Sequence, residues 1–341
     1  MIQQIKEYYS LEEFLNSSLQ SHQVLDIDLS NAQIGVTGAQ GLGSALANCT
    51  NLSDLTLSLG QIPYLPLKLG SSIGDLGASG LGSGLANCTN LSNLTLNLKC
   101  NQIGDQGLSG LGSGLANCTN LQNMILLLQY NTIGDQGASV LGSALANYSN
   151  LSNLTLDLGH NQKIGDQGLS GLGSGLANCT NLQNLKLFLD YNKIGYEGAS
   201  GLGSALANCT NLSNLALYLD YNQILDQGLS GLGSGLANCT NLSNLALDLC
   251  SNKIGDQGAS SLGFSLVNFT NLSNLTLNLR WNQIGDEGAS SLGFALANCT
   301  NLSNLTLDLT ANNQINKSQQ LKVKSKCFKL KRLVFLKINF Q

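Results

Sequence analysis

The sequence contains little of the material from which catalytic and membrane-spanning sites are usually built. Only 2 of its 341 residues are histidine and only 11% are charged, so a histidine-dependent nucleophile or metal site has few candidate residues. No apolar run approaches the roughly 18 residues of a membrane-spanning helix. The N-terminus also lacks the continuous apolar stretch of about 7 to 15 residues that a secretory signal needs. We therefore expect a cytoplasmic protein that is not an enzyme.

Motifs for metals and nucleotides are equally scarce. The ten cysteines include no CxxC pair and no cysteine and histidine cluster with zinc-ligand spacing. The string GLGSGL recurs along the chain but never meets the GK[ST] ending of a phosphate-binding loop. Nothing resembles the catalytic loop of a kinase. The sequence therefore predicts no metal and no cofactor.

The charges are unevenly distributed along the chain. Every acidic residue lies at or before Asp308, whereas the segment from Lys317 to Lys337 carries half of the basic residues. An acidic body offers phosphates no positive face, so we expect no nucleic-acid partner. Because no apolar run is long enough to span a bilayer, we also expect no membrane insertion. The basic tail could contact an acidic surface, but its interleaved apolar residues favour a C-terminal cap with a solvated lysine side. Those residues are Leu321, Val323, Phe328, Leu330 and Leu333.

A repeat of about 30 residues organises the chain. The isoleucine of the phrase NQIGDQG recurs at Ile34, Ile73, Ile103, Ile133, Ile164, Ile194, Ile224, Ile254 and Ile284. The step from Ile34 to Ile73 is longer and contains both prolines, Pro63 and Pro66, in a segment predicted to be a loop or a disrupted strand. Repetition at a fixed period predicts a solenoid, which grows by stacking units that cannot bury their leucines alone.

Each unit combines two periodicities. In residues 154–158 leucines alternate with polar residues, which is typical of a strand with one buried face. Gly168, Leu172 and Leu176 are four residues apart, which is typical of a helix with one buried stripe. A helix is wider than the strand spacing of about 4.8 Å, so the helices should lie on the convex side. The glycines in this stripe should let adjacent helices approach closely.

Polar residues that recur at fixed places in the unit are predicted to be structural. The aspartates of the GDxG phrase, such as Asp105, Asp166 and Asp256, stand where helix N-caps are expected, and Asn178 stands where a C-cap is expected. The asparagines that follow each strand can satisfy backbone groups that lose their ladder partners. They are Asn101, Asn131, Asn161, Asn192, Asn222, Asn252 and Asn282.

Seven of the ten cysteines share one position of the repeat, where two other units have Tyr148 and Phe269. A position that accepts cysteine or an aromatic residue is predicted to be apolar, so we expect buried thiols there rather than disulfides or metal ligands. Cys100 and Cys250 lie near strand ends and are expected to be more exposed. The seven are Cys49, Cys88, Cys118, Cys179, Cys209, Cys239 and Cys299.

The consensus LxxLxLxLxxNxIGDxGxxxLxxxL covers residues 24–315 and resembles the leucine-rich repeats of the ribonuclease inhibitor, of Ran GTPase-activating proteins and of NLR receptors. This ribonuclease-inhibitor-like resemblance implies an α/β horseshoe with a parallel concave sheet, convex helices and a curved binding surface. The family unit is LxxLxLxxN, and the two further residues before the asparagine here predict a longer strand or strand exit.

The ends of a solenoid need caps. We expect an N-terminal helical cap at 1–23, with Ser10 and Glu13 as a capping box, a solenoid of about ten strands at 24–316, and a basic C-terminal cap at 317–341. The segment from Leu330 is similar to a last strand, with two registers open. Either Val334, Leu336 and Ile338 or Leu333 and Phe335 would face the core.

Candidate binding residues occupy the outward positions at the ends of the strands. Aromatic residues make up only 5% of the chain, yet they concentrate there, and tyrosine, tryptophan and arginine dominate binding hot spots. Neighbouring aspartates favour a partner with a basic surface. The alternative interpretation is that the rings only cover the strand exits. The candidates are Tyr130, His160, Phe188, Asp190, Tyr191, Tyr218, Asp220, Tyr221, Arg280 and Trp281.

These features predict a protein–protein interaction scaffold that binds an unidentified protein through its concave face. Two alternatives follow from the resemblance alone. One is a regulator of a small GTPase, as in Ran GTPase-activating proteins. The other is the sensor arm of an NLR-like assembly whose effector domain belongs to another protein.

Overall fold

The computed structural model describes residues 5–30, 32–62, 72–312 and 315–340. Within these ranges, twelve strands form a single parallel sheet in chain order, and a helix follows almost every strand. The α/β solenoid predicted from the two periodicities is confirmed. Pro63 and Pro66, on which we placed a loop or disrupted strand, lie outside the described residues. No helix among the described residues is long and apolar enough to cross a bilayer.

The strands are short and nearly uniform in length. They are β1 (Lys6–Tyr8), β2 (Val24–Asp28), β3 (Asp54–Ser58), β4 (Asn93–Asn97), β5 (Asn123–Leu127), β6 (Asn153–Asp157), β7 (Asn184–Phe188), β8 (Asn214–Tyr218), β9 (Asn244–Asp248), β10 (Asn274–Asn278), β11 (Asn304–Asp308) and β12 (Phe335–Asn339). Equivalent residues pair in register, so Leu154 lies beside Met124 and Leu185. Ladder hydrogen bonds continue past the strands, as from the Leu158 amide to the Phe188 carbonyl (2.8 Å).

The helices form the second layer. They are α1 (Leu11–Leu15), a 3-10 turn (Leu19–Ser21), α2 (Gly35–Leu46), α3 (Gly74–Leu85), α4 (Asp105–Leu115), α5 (Asp135–Leu145), α6 (Asp166–Leu176), α7 (Tyr196–Leu206), α8 (Leu225–Leu236), α9 (Asp256–Leu266), α10 (Asp286–Asn298) and α11 (Lys317–Cys327). Each repeat buries the strand leucines and the helix stripe in one continuous core, as Leu156, Ile164 and Leu172 show. The core therefore runs the length of the solenoid between sheet and helices.

Strands close both ends of the described sheet. β1 pairs with β2, so the N-terminal segment contributes a strand in addition to the expected helix. Ser10 is the N-cap residue of α1, but its side chain makes no capping hydrogen bond, so the predicted capping box is wrong. In β12, Leu336 pairs with Leu305 and Ile338 pairs with Leu307. Val334 lies before the strand and is exposed, so the core-facing register is that of Leu336 and Ile338.

The asparagine after each strand connects neighbouring repeats. Asn131 is buried, and its Nδ2 donates to the carbonyls of Leu98 (3.1 Å) and Leu128 (2.9 Å). Its Oδ1 accepts from the amides of Asn101 (3.0 Å) and Ile103 (2.9 Å) in the preceding repeat. The structural role predicted for these asparagines is confirmed. In the described part of the chain, the Oδ1 of Asn192 is left without a donor, beside the repeat that Lys163 lengthens.

All ten cysteines are free and buried. In the shared position, the thiol of Cys118 donates to the carbonyl of Leu85 in the preceding repeat (Sγ to O, 3.4 Å), and the Tyr148 hydroxyl makes the equivalent bond to Leu115 (2.7 Å). The position is thus apolar but usually supplies one donor. Cys100 and Cys250 are also buried, but at 7% and 8% exposure they are slightly more exposed than the cysteines of the shared position, as expected.

The repeated aspartates cap helices, but not the helices in which they lie. Asp105 is the first residue of α4, whose N-cap is Gly104, with no side-chain cap. Its Oδ1 instead accepts hydrogen bonds from the amides of Gly134 (2.7 Å) and Gly137 (2.9 Å) in the next repeat. The prediction of a cap within the same repeat is therefore wrong. A carboxylate at the N-terminus of the next helix meets two orphan amides and the positive end of the helix dipole.

The same inter-repeat cap recurs through the solenoid. Asp166 accepts from the amides of Gly195 and Gly198, and Asp256 accepts from those of Gly285 and Gly288. The predicted C-cap Asn178 lies one residue beyond the C-cap Ala177, and its Nδ2 donates to Ser174 within the same helix (3.1 Å). These contacts stabilise both helix ends. However, the aspartates cap the next helix and not their own, and the asparagine lies one residue beyond the C-cap that was predicted for it.

Where the preceding repeat lacks the aspartate, the next helix begins differently. Tyr196 replaces the aspartate in α7, and Leu225, at the following glycine position, has a φ of 59°. Gly35 and Gly74, which also follow no such aspartate, have φ values of 58° and 55°. When the aspartate is present, the glycine is extended and not left-handed, as at Gly195 (φ −99°). The carboxylate thus sets the backbone conformation of the next helix start.

Glycine in the helical stripe allows the closest helix contacts. A Cβ on Gly175 would overlap the backbone carbonyl of Gly142 in α5, and one on Gly84 would overlap that of Gly43 in α2. The neighbouring helices make their most extensive contacts at α2–α3, α3–α4, α5–α6 and α7–α8. In each of these pairs the later helix has glycine at this position, whereas α5 and α7 have alanine. The predicted close approach of the helices is confirmed.

We expect Gly175→Ala to lower the free energy of unfolding by about 1 to 3 kcal/mol, because the added methyl group overpacks the contact with α5. The matched control is Gly41→Ala, since a Cβ there meets nothing within 4 Å. Alanine in that open helical position should raise stability by up to about 1 kcal/mol. Urea denaturation followed by circular dichroism compares the two. Equal effects of the same sign would contradict the close-approach argument.

Tyr196→Asp and Leu225→Gly should stabilise the chain only in combination. The restored carboxylate can accept the residue-225 amide when glycine permits the close approach, so we expect the double variant to exceed the sum of the singles by about 1 kcal/mol. Tyr196→Ala combined with Leu225→Gly is the control, because it offers no acceptor. A double-mutant cycle from urea denaturation measures the coupling. An equal coupling energy between Tyr196→Ala and Leu225→Gly would disprove the inter-repeat cap.

Candidate functional site: the concave face

The sheet face turned away from the helices presents five rows of side chains. In β7 and its exit these rows are represented by Asn184 (first row), Lys186 (second), Phe188 (third), Asp190 (fourth) and Tyr191 (exit row). The leucines between them point into the core. Because the strands are parallel and in register, each row places equivalent residues of successive repeats side by side at about the strand spacing of 4.8 Å. Binding properties therefore depend on which residues fill the rows.

The first row is an asparagine ladder that sequence reasoning did not single out. The Nδ2 of each asparagine donates to the Oδ1 of its equivalent in the preceding repeat, as from Asn123 to Asn93 (2.5 Å) and from Asn304 to Asn274 (2.5 Å). The signal was available, because asparagine begins nearly every strand. The ladder comprises Asn93, Asn123, Asn153, Asn184, Asn214, Asn244, Asn274 and Asn304. The ladder links the neighbouring strands along one side of the concave sheet face.

Four rings of the exit row form a continuous stack. Tyr130 and His160 have ring centroids 4.2 Å apart, His160 and Tyr191 4.3 Å, and Tyr191 and Tyr221 4.2 Å, with interplanar angles of 14° to 16°. All four residues have a left-handed backbone, with φ between 52° and 57°. That conformation costs a non-glycine residue about 1 to 2 kcal/mol. It recurs because every coil turns outward at this point.

A second, two-ring stack lies in the third row. Phe188 and Tyr218 have ring centroids 4.4 Å apart and an interplanar angle of 2°. The neighbouring positions in this row are Asp157 on one side and Asp248 on the other. The aromatic patch is therefore bordered by carboxylates along the sheet as well as across it.

Asp190 and Asp220 occupy the fourth row, between the two stacks. Burial is the main cause that raises the pKa of Asp220 to about 7, with the charges of Asp248 and Asp190 adding to it. Burial likewise raises the pKa of Asp157 to about 6 and raises that of Asp190. The Nε2 of His160 lies 3.2 Å from the Oδ2 of Asp190. These carboxylates thus repel one another in a partly desolvated place, which favours protonation or the approach of a cation.

The Tyr191 hydroxyl adds a hydrogen-bond donor to this cluster. Burial and the neighbouring Tyr221 hydroxyl raise the pKa of Tyr191 to about 12. The group therefore stays protonated near neutral pH and can donate to a partner. The rings present their edges and hydroxyl groups outward, while their faces are occupied by each other.

A trough in the second row lies beside the aromatic patch. Ala216 and Ala246 occupy positions where neighbouring strands have Lys186 and Thr276, and their small side chains leave an open cavity of about 380 Å³. The asparagine ladder forms one wall. Sequence reasoning missed this feature, although the two alanines in an otherwise larger row were its signal. The trough is large enough for one or two partner side chains.

The structure gathers most of the predicted residues into one place. Tyr130, His160, Tyr191 and Tyr221 share the exit-row stack, Phe188 and Tyr218 form the third-row stack, and Asp190 and Asp220 lie between them. Arg280 and Trp281 lie apart. Trp281 is exposed in the exit row two repeats beyond Tyr221, with Ser251 between them. The aromatic surface expected to continue at Trp281 is therefore interrupted at Ser251.

Other clusters do not compete with this site. Among the described residues, no group of three or more histidine, cysteine, aspartate or glutamate side chains is placed to hold a metal ion. An open cavity of about 610 Å³ on the helix side includes Asp226 and Asp256. Both aspartates accept amide hydrogen bonds from the next helix, which explains their place there.

We expect Asp220→Asn to change how stability depends on pH. Because the pKa of Asp220 is raised from 3.8 to about 7, its stabilising contribution is complete below pH 3.8 and is lost as the pH rises to about 7. The difference in free energy of unfolding between the variant and wild type should therefore shift in favour of the variant between pH 4.5 and pH 8. We expect a shift of about 1 kcal/mol after allowance for solvent screening. Thermal unfolding at the two pH values measures this. Exposed Glu12→Gln is the control, and an identical pH profile for Asp220→Asn and wild type would contradict the shift.

Comparisons with known proteins agree with the repeat architecture. A family model described as Leucine Rich repeat matches residues 90–112, 124–142, 150–173, 243–263 and 271–293. No curated protein matches the chain. Among the solved structures that match, an internalin C2 from Listeria monocytogenes is 23% identical over 76% of this chain and 92% of that chain, with a TM-score of 0.43. The matched repeats and the parallel coil of strands and helices together identify the fold as a leucine-rich-repeat solenoid.

Proposed function

We propose that this chain is a protein-interaction scaffold that binds a basic segment of a partner protein on its concave face, at strands β6 to β9. Leucine-rich-repeat proteins generally act as such scaffolds, and solenoids offer extended concave binding surfaces. One observation carries the proposal. Asp220 lies between two aromatic stacks with a pKa raised to about 7 by burial and by neighbouring carboxylates.

The aromatic stacks supply a rigid surface for such a partner. Each ring of the four-ring stack contacts at least one neighbouring ring at 4.2 to 4.3 Å, and His160 and Tyr191 contact two, so little side-chain entropy remains to be lost on binding. Tyrosine also offers apolar area and a hydroxyl donor in one side chain. The geometry thus suits a hot spot better than a set of independent surface rings.

The carboxylates of the concave face favour a partner segment with positive charge. Asp157, Asp190, Asp220 and Asp248 surround the Phe188–Tyr218 stack in the third and fourth rows. A lysine or arginine entering this cluster would offset the repulsion that raises the carboxyl pKa values. The trough at Ala216 and Ala246 would take a neighbouring apolar side chain of the same segment.

The finer family assignment and location belong to the same proposal. A helix accompanies the strands from β2 to β11, which supports the ribonuclease-inhibitor-like type of repeat. Ten free, buried thiols support a reducing compartment, and we propose a cytoplasmic protein. The division into caps at 1–23 and 317–341 around a solenoid at 24–316 is proposed on the same basis. We propose a binding module and not an enzyme.

The two alternative functions have less support. Regulation of a small GTPase and a role as the sensor arm of an NLR-like assembly were implied by the resemblance alone. No feature of the described residues favours either of them over the scaffold. Acceleration of GTP hydrolysis in a panel of purified small GTPases would establish the first. A requirement for a separate nucleotide-binding protein in the captured complex would establish the second.

The test is a crosslinking pulldown from native lysate with wild-type chain and a Tyr191→Ala/Tyr221→Ala variant. We expect the variant to capture at least about tenfold less of one specific protein than wild type does. The reason is that two central anchors, contributing about 1 to 2 kcal/mol each, are removed. An Asp190→Asn/Asp220→Asn variant should lose the same protein, and salt should weaken its capture by wild type.

The matched control is Tyr196→Ala, which removes an exposed tyrosine from α7 on the helix side. It should capture the partner as wild type does. Circular dichroism must show equal folding of all variants. Equal capture by wild type and the Tyr191→Ala/Tyr221→Ala variant would mean that the stack only covers the strand exits, and an acidic partner sequence at the crosslink would refute the charge preference.

A further inference from the structure

A patch of exposed phenylalanine breaks the repeat on the helix side. One exposed position near the C-terminal end of the helices is serine in α2 to α8, but Phe264 and Phe294 occupy it in α9 and α10. The two side chains are 75% and 64% exposed. Val267, also exposed, is the C-cap of α9, where α2 to α8 have alanine. The serine residues are Ser44, Ser83, Ser113, Ser143, Ser174, Ser204 and Ser234.

The basic helix α11 lies against this patch. The Nζ of Lys326 is 5.6 Å from the ring centroid of Phe294. Lys326, Phe264, Val267 and Phe294 together line an open cavity of about 350 Å³. The outer side of α11 adds exposed Leu321. Two independent departures from the repeat, apolar in α9 and α10 and basic in α11, thus meet on one surface.

The chain segment that contains α11 carries charges of one sign, although Asp286 of α10 accepts hydrogen bonds from Asn316 at its N-terminus. The segment from Lys317 to Lys337 contains eight basic residues, and no acidic residue follows Asp308. Lys322, Lys329 and Lys331 are exposed along it, together with the apolar Phe328. Clusters of four to eight basic residues are typical of surfaces that bind anionic lipid. Exposed aromatic and aliphatic side chains beside such lysines are typical of proteins that lie at the membrane interface.

We propose that this surface, formed by Phe264, Val267, Phe294 and the basic residues of 317–332, docks the solenoid onto an anionic membrane. The phenylalanines carry no hydrogen-bonding group, which suits insertion among lipid headgroups better than pairing with an acidic peptide. The lysines would remain in the headgroup layer and contact anionic lipids. The concave face lies on the opposite side of the coil and stays open to a protein partner.

The experiment is vesicle flotation with the full chain. Wild type is compared on vesicles of phosphatidylcholine alone and on vesicles that also contain about 30 mol% phosphatidylserine. We expect binding to the anionic vesicles only, with weakening at high salt. Phe264→Ser/Phe294→Ser should lower the partition coefficient by about tenfold or more, because apolar area no longer enters the interface. Each Lys→Gln change at Lys326, Lys329 or Lys331 should lower it by about fivefold.

The repeat itself provides the folding control. Serine is the residue of α2 to α8 at this position, so the phenylalanine variants should keep the far-ultraviolet circular dichroism of wild type. Tyr196→Ser removes an exposed aromatic residue from α7, far along the coil from this surface, and should bind vesicles as wild type does. The concave variant Tyr191→Ala/Tyr221→Ala should also bind normally, which separates this proposal from the proposed function.

Three outcomes would overturn the proposal. Equal binding of wild type to neutral and anionic vesicles would remove the role of the lysines. Unchanged binding of Phe264→Ser/Phe294→Ser would remove the role of the apolar patch and leave only diffuse attraction. The third outcome comes from analytical ultracentrifugation without vesicles: self-association of wild type that the serine variants lose would assign the patch to a second copy of this chain.

Discussion

Each coil of this solenoid depends on the next for the hydrogen bonds of its backbone. Asn131 accepts hydrogen bonds from two backbone amides of the preceding repeat, and it donates to one carbonyl of that repeat and one of its own. Asp105 accepts hydrogen bonds from two backbone amides at the start of the following helix. A buried amide or carbonyl without a partner costs about 1 to 3 kcal/mol. A single coil therefore cannot be stable alone, and stability is a property of adjacent pairs.

This dependence also shapes the concave face. In-register hydrogen bonding places the same repeat position at the same height in every strand, so a residue change in one unit always meets its equivalents in the neighbouring units. Aromatic residues in adjacent units stack for this reason, as His160 and Tyr191 do. Aspartates in adjacent units repel one another for the same reason, which raises the pKa of Asp220. The candidate site follows from the row geometry combined with a few departures from the consensus.

Periodicity within one unit predicted the strands, the helices and their buried leucines, because those patterns are local. The role of the strand-exit asparagines and the close approach at glycines such as Gly175 also followed from the unit. Contacts between units were harder to predict. Asp105 was assigned to its own helix, and the stacking of His160 on Tyr191 was not predicted. In each case the answer lies in the residue about 30 positions away, which spacing within a unit cannot reveal.

The departures from the repeat fall where the core does not constrain the side chain. Leucine remains at the buried strand positions of β7 and β8. The outward positions differ from the other repeats, with Phe188 and Tyr218 on the concave face and Phe264 and Phe294 on the helix side. Substitution at an outward position leaves the inter-repeat hydrogen bonds intact, so such a scaffold can acquire a binding surface at small cost to stability. A basic segment and a proton would compete for the same concave carboxylates. Under the proposed function, the burial that disfavours the charge of these carboxylates would also favour a cationic partner there.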